Sequence, residues 1–192
     1  MKLTKKLILA SNSPRRKEIL KSAGFEFEVM VRPTSEEFDL NMKFEKVPEY
    51  LAIKKAECFE DFDDKHLILT SDTVVVLENN ILNKPLNEDE AYEMLAKLSN
   101  KTHEVITGVC IKNGAKYFSF IDKTFVRFEE LTKSEIDYYI KNCNPLDKAG
   151  AYGVQDFIGM IGIPKIEGSF YTVMGLPIHL IYKALKPYLI FE

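Results

Sequence analysis

The chain has 192 residues, 46% hydrophobic and 29% charged, the balance of an ordinary globular protein, and is long enough to bury a sizeable core. A formal charge of -3 gives no global attraction to nucleic acid or anionic membrane, so any polyanion site must be built locally. The three cysteines, Cys58, Cys110 and Cys143, form no C-x-x-C pair, which argues against a zinc knuckle or a disulfide framework and fits a reducing compartment.

In chain order, a basic lead-in (Met1 to Lys6) precedes Leu7–Ala10, a short buried strand too brief for a secretory apolar region. Ser11-Asn-Ser-Pro makes a turn, and Arg15–Ala23 reads as a helix ended by Gly24. Phe25–Val31 alternates and is rich in β-formers, which predicts a second strand. Pro48 suits a first helical position, and Leu51, Ala52, Lys55, Ala56 and Phe59 keep a helical period. Leu67–Leu77 predicts a long strand, with a turn at Asn79-Asn80 before Ile81-Leu82. Asn87-Glu-Asp-Glu opens a capped helix with acids in its first turn.

Further on, His103–Lys112 and Lys116–Phe128 flank Asn113-Gly114 as a hairpin, and Thr132-Lys-Ser-Glu135 is a capping box leading into Ile136–Lys141. Asn144–Gln155 is loop-rich, and Leu176–Leu185 closes the chain as a helix. Strands interleave with helices and one pair is a hairpin, so the expected class is α/β with a mixed sheet. No repeat or linker divides the chain, and no stretch approaches a membrane span. A cytoplasmic protein is the expectation.

Two constellations suggest chemistry. Ser13-Pro14-Arg15-Arg16 stands at a strand-to-helix junction, where free backbone N–H groups and two guanidinium forks suit a polyphosphate. The same residues would also make a capped surface helix with solvated arginines, and that alternative stays open. Ser71-Asp72-Thr73 sits inside an apolar β run, where a carboxylate is costly unless paired or bound to a cation. Asp72 is therefore a candidate metal ligand or general base, with a solvent-facing or capping Asp as the bland alternative. Glu36-Glu37 offers hard oxygen donors that could join Asp72 on magnesium or manganese. Lys55 and Lys84 are cations that mean little alone. Asp147-Lys148 and Gln155 lie in a glycine-containing stretch, and Gln has the donor and acceptor that base reading requires. There is no Walker loop and no G-x-G-x-x-G. His103-Glu104 lacks the second histidine of a zinc protease, and Gly168-Ser169 lacks a nucleophile elbow.

Several segments, taken together and in order, resemble the Maf family of nucleotide pyrophosphatases. They are Leu9-Ala-Ser-Asn-Ser-Pro-Arg-Arg16, Pro33–Glu37, Ser71-Asp-Thr-Val-Val75, Asn83-Lys-Pro85, Leu146-Asp-Lys-Ala-Gly-Ala-Tyr-Gly-Val-Gln155, Glu167-Gly-Ser169 and Gly175-Leu-Pro177. The resemblance implies one domain over 1–192, a two-lobed α/β fold similar to the inosine-triphosphatase group, with a cleft between the lobes and a homodimer as the expected assembly. It implies cleavage between the α- and β-phosphates with a divalent cation, magnesium or manganese, and a nucleoside triphosphate as the partner rather than nucleic acid or membrane. By the resemblance Asp72 is the proton acceptor, and Ser13, Arg16, Glu37, Lys55, Lys84 and Gln155 line the cleft. Asp72, Glu37 and Lys55 form the expected catalytic set, Glu37 and Asp72 the metal ligands, and Lys148 an anchor for the leaving pyrophosphate. Arg15, Thr73 and Gln155 match the branch acting on dTTP and UTP. Two departures stand out: Asp156 where the family usually has Gly, and Glu36 where Asp is common. A non-catalytic nucleotide-binding regulator of cell division and a pyrophosphatase for other or modified nucleotides are the alternative readings.

Overall fold

The computed structural model describes residues 1–190. In chain order the elements are β1 (Lys2–Leu3), β2 (Lys6–Leu9), α1 (Pro14–Ser22), β3 (Glu28–Val29), α2 (Val47–Glu57), β4 (His66–Leu77), β5 (Asn80–Leu82) and α3 (Glu88–Leu98). They continue as β6 (Thr102–Asn113), β7 (Lys116–Arg127), α4 (Lys133–Asn142), α5 (Phe157–Gly162), β8 (Lys165–Glu167), α6 (Phe170–Val173), α7 (Ile178–Leu185) and β9 (Leu189–Ile190). One sheet has the order β3-β2-β4-β6-β7-β8 with β5 paired to β4, and β1 pairs with β9 apart from it. Strands β3, β2 and β4 are parallel, whereas β5 and β8 join antiparallel. The class is α/β, a mixed sheet flanked by helices.

Local chemistry sets the helix boundaries. The Ser13 hydroxyl accepts from the Arg16 backbone N–H, Pro14 occupies the first turn, and the end of α1 passes into Gly24 at φ +79°. Asn87 caps α3 by accepting from Glu90 N–H at 2.9 Å. Thr132 and Glu135 bond reciprocally as the capping box of α4.

The chain divides into two compact units. The first takes Met1–Asp72, Thr107–Asp122 and the chain from Gly175 on; the second takes Thr73–Ile106 and Lys123–Met174. In the first unit, β2 and β4 lie in register with Leu7 opposite Leu67 and Leu9 opposite Leu69. Helix α2 packs against β6 at Gly108, where a Cβ would fall 2.3 Å from the Glu49 nitrogen. Only glycine permits that approach. Thr70 adds a tie, its hydroxyl donating to Ala52 O at 2.6 Å. In the second unit, Leu95, Leu98, Val126, Phe128, Tyr139 and Ile158 share one buried core.

Two sequence expectations shift. The strand expected over Phe25–Val31 shrinks to Glu28–Val29, which pair with Ile8 and Leu9 on a single neighbouring strand, with Met30 N–H adding a bond to Leu9 O at 3.2 Å. The turn expected at Asn79-Asn80 falls one residue earlier, with Glu78 and Asn79 both at positive φ.

Candidate active site

In the first unit the candidate residues gather where β2 ends. Leu9 is the last residue of β2, while its partner strand β4 continues past Leu69 through Thr70 and Ser71 to Asp72. The chain leaving β2 turns through Ser11 and Ser13 into the N-terminus of α1. Parallel strands of α/β proteins place ligands at such carboxyl ends, and the helix start adds oriented N–H groups.

Arg16 reaches back over this junction. Its Nη1 donates to Ser71 O at 2.7 Å and its Nε to Gly175 O at 2.9 Å. Ser71 Oγ donates to the same Gly175 carbonyl at 3.0 Å. Burial draws the guanidinium below its ordinary pKa, with Asp72 pulling in the other direction and Arg15 reinforcing the fall. The residue as a whole is half-buried, so it is the charged head that loses solvent. Arg16 therefore both ties β4 at Ser71 to Gly175 and brings a desolvated positive charge there.

Lys55, on the last turn of α2, donates to Asp72 Oδ1 at 2.5 Å and to Glu36 Oε1 at 2.9 Å. Lys55 and Asp72 expose only 18% and 14% of their side chains, which is enough for access yet little enough to strengthen the pair. Glu36, by contrast, keeps 57% exposed. Charge alternates here between Arg16, Asp72, Lys55 and Glu36.

Sequence reasoning singled out Glu37, but the side chain that meets Lys55 belongs to Glu36. Glu37 is exposed, and its backbone carbonyl accepts from Lys54 Nζ at 2.9 Å. The adjacent acidic pair was visible in the sequence; which member turns inward depends on the irregular backbone of that loop.

The second unit holds the remaining candidates. Thr73 is half-buried on β4, and Lys84 is exposed just after β5. Asn83 O accepts from Gly150 N at 3.2 Å, tying the Lys84 segment to the glycine-rich stretch. Gly150 has φ +68°, with an added Cβ meeting the Val75 side chain at 3.0 Å. Lys148 is buried, and its ammonium donates to Asn144 O and to Asp147 Oδ1, the latter at 2.8 Å, with Asp156 Oδ2 at 3.5 Å. Gln155 Nε2 donates to Asp156 Oδ1 at 3.0 Å, while Tyr139 Oη donates to Asp156 Oδ2 at 3.0 Å. Gln155 Oε1 is buried and has no hydrogen-bond partner among the described residues. Asp156 and Tyr139 were not among the expected site residues. The sequence signal for Asp156 was its charge at a position where the family usually has glycine.

Among the described residues, no group of three or more His, Cys, Asp or Glu side chains is placed to hold a metal ion. The donor set is nevertheless of the right kind for a hard cation, because Asp72 and the Glu36-Glu37 pair supply carboxylate oxygens.

Comparison with known proteins completes the picture. The profile of the Maf-like protein family matches residues 6–188. The chain belongs to the Maf family. Among its relatives is a Phocaeicola vulgatus protein, 49% identical over 94% of this chain and 95% of its own length. A Porphyromonas gingivalis W83 protein is 46% identical over 95% and 94%, and one from Bacillus cereus G9842 is 46% identical over 96% of each. All three carry the name dTTP/UTP pyrophosphatase. Among solved structures, the Staphylococcus aureus Ham1 protein superposes with a TM-score of 0.54 at 15% identity, covering 95% of the Maf chain and 99% of its own. At that identity the likeness concerns the fold, which is the inosine-triphosphatase-like fold expected from the Maf resemblance. No helix among the described residues of this Maf protein is long and apolar enough to cross a membrane.

Proposed function

We propose that the chain hydrolyses dTTP and UTP to the nucleoside monophosphate and pyrophosphate, by attack of water on the α-phosphorus. The observation that carries this reading is the 2.5 Å contact of Lys55 with Asp72, on β4 where it runs on past the end of β2, beside the desolvated Arg16. The names borne by relatives at 46% to 49% identity supply the substrate class.

Each group has a role that its chemistry supports. Backbone N–H groups after Ser13 and the side chains of Arg15 and Arg16 neutralise the phosphates, with Lys84 as a further cation. Asp72 accepts a proton from the attacking water, and Lys55 holds the carboxylate in place while offsetting charge that builds on phosphate oxygen. Phosphoryl chemistry rests on positioning and charge stabilisation, which accounts for several cations and no protein nucleophile. Thr73 and Gln155 serve substrate recognition, Gln155 by hydrogen bonding to the base. Lys148, whose donors are engaged within its own loop, contributes as the cation beside Asp156.

A magnesium or manganese ion would be held by Asp72 and Glu37 through their hard carboxylate oxygens. Such an ion supplies charge neutralisation and polarises the phosphate toward attack. Glu36 stands next to Glu37 and is already drawn toward Lys55, which adds a second carboxylate on this side.

A turnover panel tests the reading. With magnesium or manganese, the purified protein is expected to convert dTTP and UTP to monophosphate and pyrophosphate ahead of CTP, GTP and ITP. Tight nucleotide binding without turnover would instead assign the chain to a regulator and leave Asp72 a structural residue.

A further inference from the structure

The base-reading role given to Gln155 leaves a question that a glutamine alone does not answer. A Gln amide has a carbonyl on one side and an NH2 on the other, and a half-turn exchanges them. A freely turning amide pairs as well with a ring nitrogen that accepts as with one that donates. On its own it therefore separates uracil or thymine, whose N3 carries hydrogen, only weakly from cytosine, whose N3 carries a lone pair.

In this chain the amide is not free to turn. Gln155 Nε2 donates to Asp156 Oδ1 at 3.0 Å. An ionised carboxylate only accepts, so the amide must face it with NH2. The carboxylate is itself fixed on its other oxygen, by Tyr139 Oη at 3.0 Å and by Lys148 Nζ at 3.5 Å. Tyr139 is anchored in turn, accepting from Gly153 N–H at 3.2 Å. Burial and the neighbouring Asp156 both raise the Tyr139 pKa, so its hydroxyl stays a donor.

The backbone is shaped for the same purpose. A Cβ on Gly153 would lie 2.4 Å from Asp156 Oδ2 and 2.9 Å from Gln155 Nε2, so the two side chains fold together only over a bare glycine. The result is that Gln155 Oε1 takes no part in the bond to Asp156 and is left buried, without a protein partner among the described residues. A buried acceptor in that condition is costly unless a ligand supplies a hydrogen.

We propose that Asp156 is a specificity-determining residue that locks the Gln155 amide with its oxygen toward the base, sharpening selection of the imide N3–H of dTTP and UTP over the N3 lone pair of CTP. With cytosine, two acceptors face each other, and specificity gains from that repulsion as much as from the bond to uracil. The inference rests on the base-reading role of Gln155. Asp156 acts through that amide and is a positioning residue.

The test is the ratio of kcat/KM for UTP to that for CTP in four proteins: wild type, Gln155→Ala, Asp156→Asn and Asp156→Gly. Asp156 precedes α5 without any side-chain capping bond, so neither substitution removes a cap. In Asp156→Asn the neighbour can donate as well as accept, which frees the amide to turn. The ratio is expected to fall at least about tenfold in both Asp156 variants, since an unmatched buried polar group weighs that much. A merely structural role would lower both substrates together and leave the ratio unchanged, overturning the proposal. Thermal melts identify any variant that fails to fold, and the other Asp156 variant then decides. If Gln155→Ala shifts the ratio and the Asp156 variants do not, the lock is wrong and base reading stands. If Gln155→Ala leaves the ratio unchanged, base reading itself fails, and the lock with it.

Discussion

The two candidate regions of this protein solve opposite problems. Around Asp72, alternating charges stand at a strand end with their heads partly open to water, and the pair in closest contact, Lys55 and Asp72, is still 18% and 14% exposed. Around Gln155 the difference lies in bonding rather than burial: the Asp156 carboxylate, 19% exposed, is engaged by Tyr139 and Gln155, and beside it stands a neutral amide whose buried oxygen has no hydrogen-bond partner among the described residues. The first arrangement suits a substrate that carries charge and must react. The second suits a flat, neutral ring that must be told apart from a near copy. Chemistry needs charges that can respond, whereas recognition needs a hydrogen-bond pattern that cannot change.

That contrast breaks most sharply at Asp72. Asp72→Asn keeps size and shape but cannot take a proton, and is expected to lower kcat/KM for UTP by about 10³-fold, within the range of general-base losses. Nucleotide affinity by calorimetry should change only a few-fold, and an equal loss of rate and affinity would recast Asp72 as a binding group. Lys55→Met comes next, with an expected loss of roughly 10²-fold as one stabilising cation disappears. Its UTP to CTP ratio should stay at the wild-type value, because the charged region does not read the base; a changed ratio would merge the two roles.

Smaller effects sharpen the other side. His103 bonds to Tyr152 Oη at 2.7 Å and stacks on Phe128, and burial pulls its pKa from 6.5 down to about 3. A histidine held neutral in the fold but protonated in the unfolded chain contributes stability in full above pH 6.5, and loses it progressively as pH falls toward 3. Between pH 7 and pH 5, urea unfolding should show wild type losing about 2 kcal/mol more than His103→Gln. Parallel pH dependences would place the critical protonation at another group. Least of all, Thr132→Ala removes the cap of α4, the helix that carries Tyr139, and should lower Tm by about 2–4 °C without altering turnover of UTP at 25 °C.

Much of the framework was legible before any coordinates. Caps at Ser13, Asn87 and Thr132 mark helix starts, because they satisfy orphan backbone donors locally. The long apolar run ending at Leu77 could only be a buried strand, and Asn113-Gly114 marked the hairpin. The segment 157–174 was silent: α5 and α6 have six and four residues, and β8 has three, too short to show a period. The charged region was partly legible, since a carboxylate in an apolar strand demands a partner, but the choice of Glu36 over Glu37 belongs to loop geometry. The amide lock was not legible. It depends on Tyr139, 14 residues from Gly153 in sequence, reaching back to the loop.

The most direct measurement is hydrolysis of UTP in water enriched in oxygen-18, with mass analysis of both products. Water attacking the α-phosphorus must leave the label in UMP and none in pyrophosphate, and this is the result expected. Label in pyrophosphate, or the appearance of UDP with inorganic phosphate, would contradict the reaction assigned to Asp72 and its neighbours.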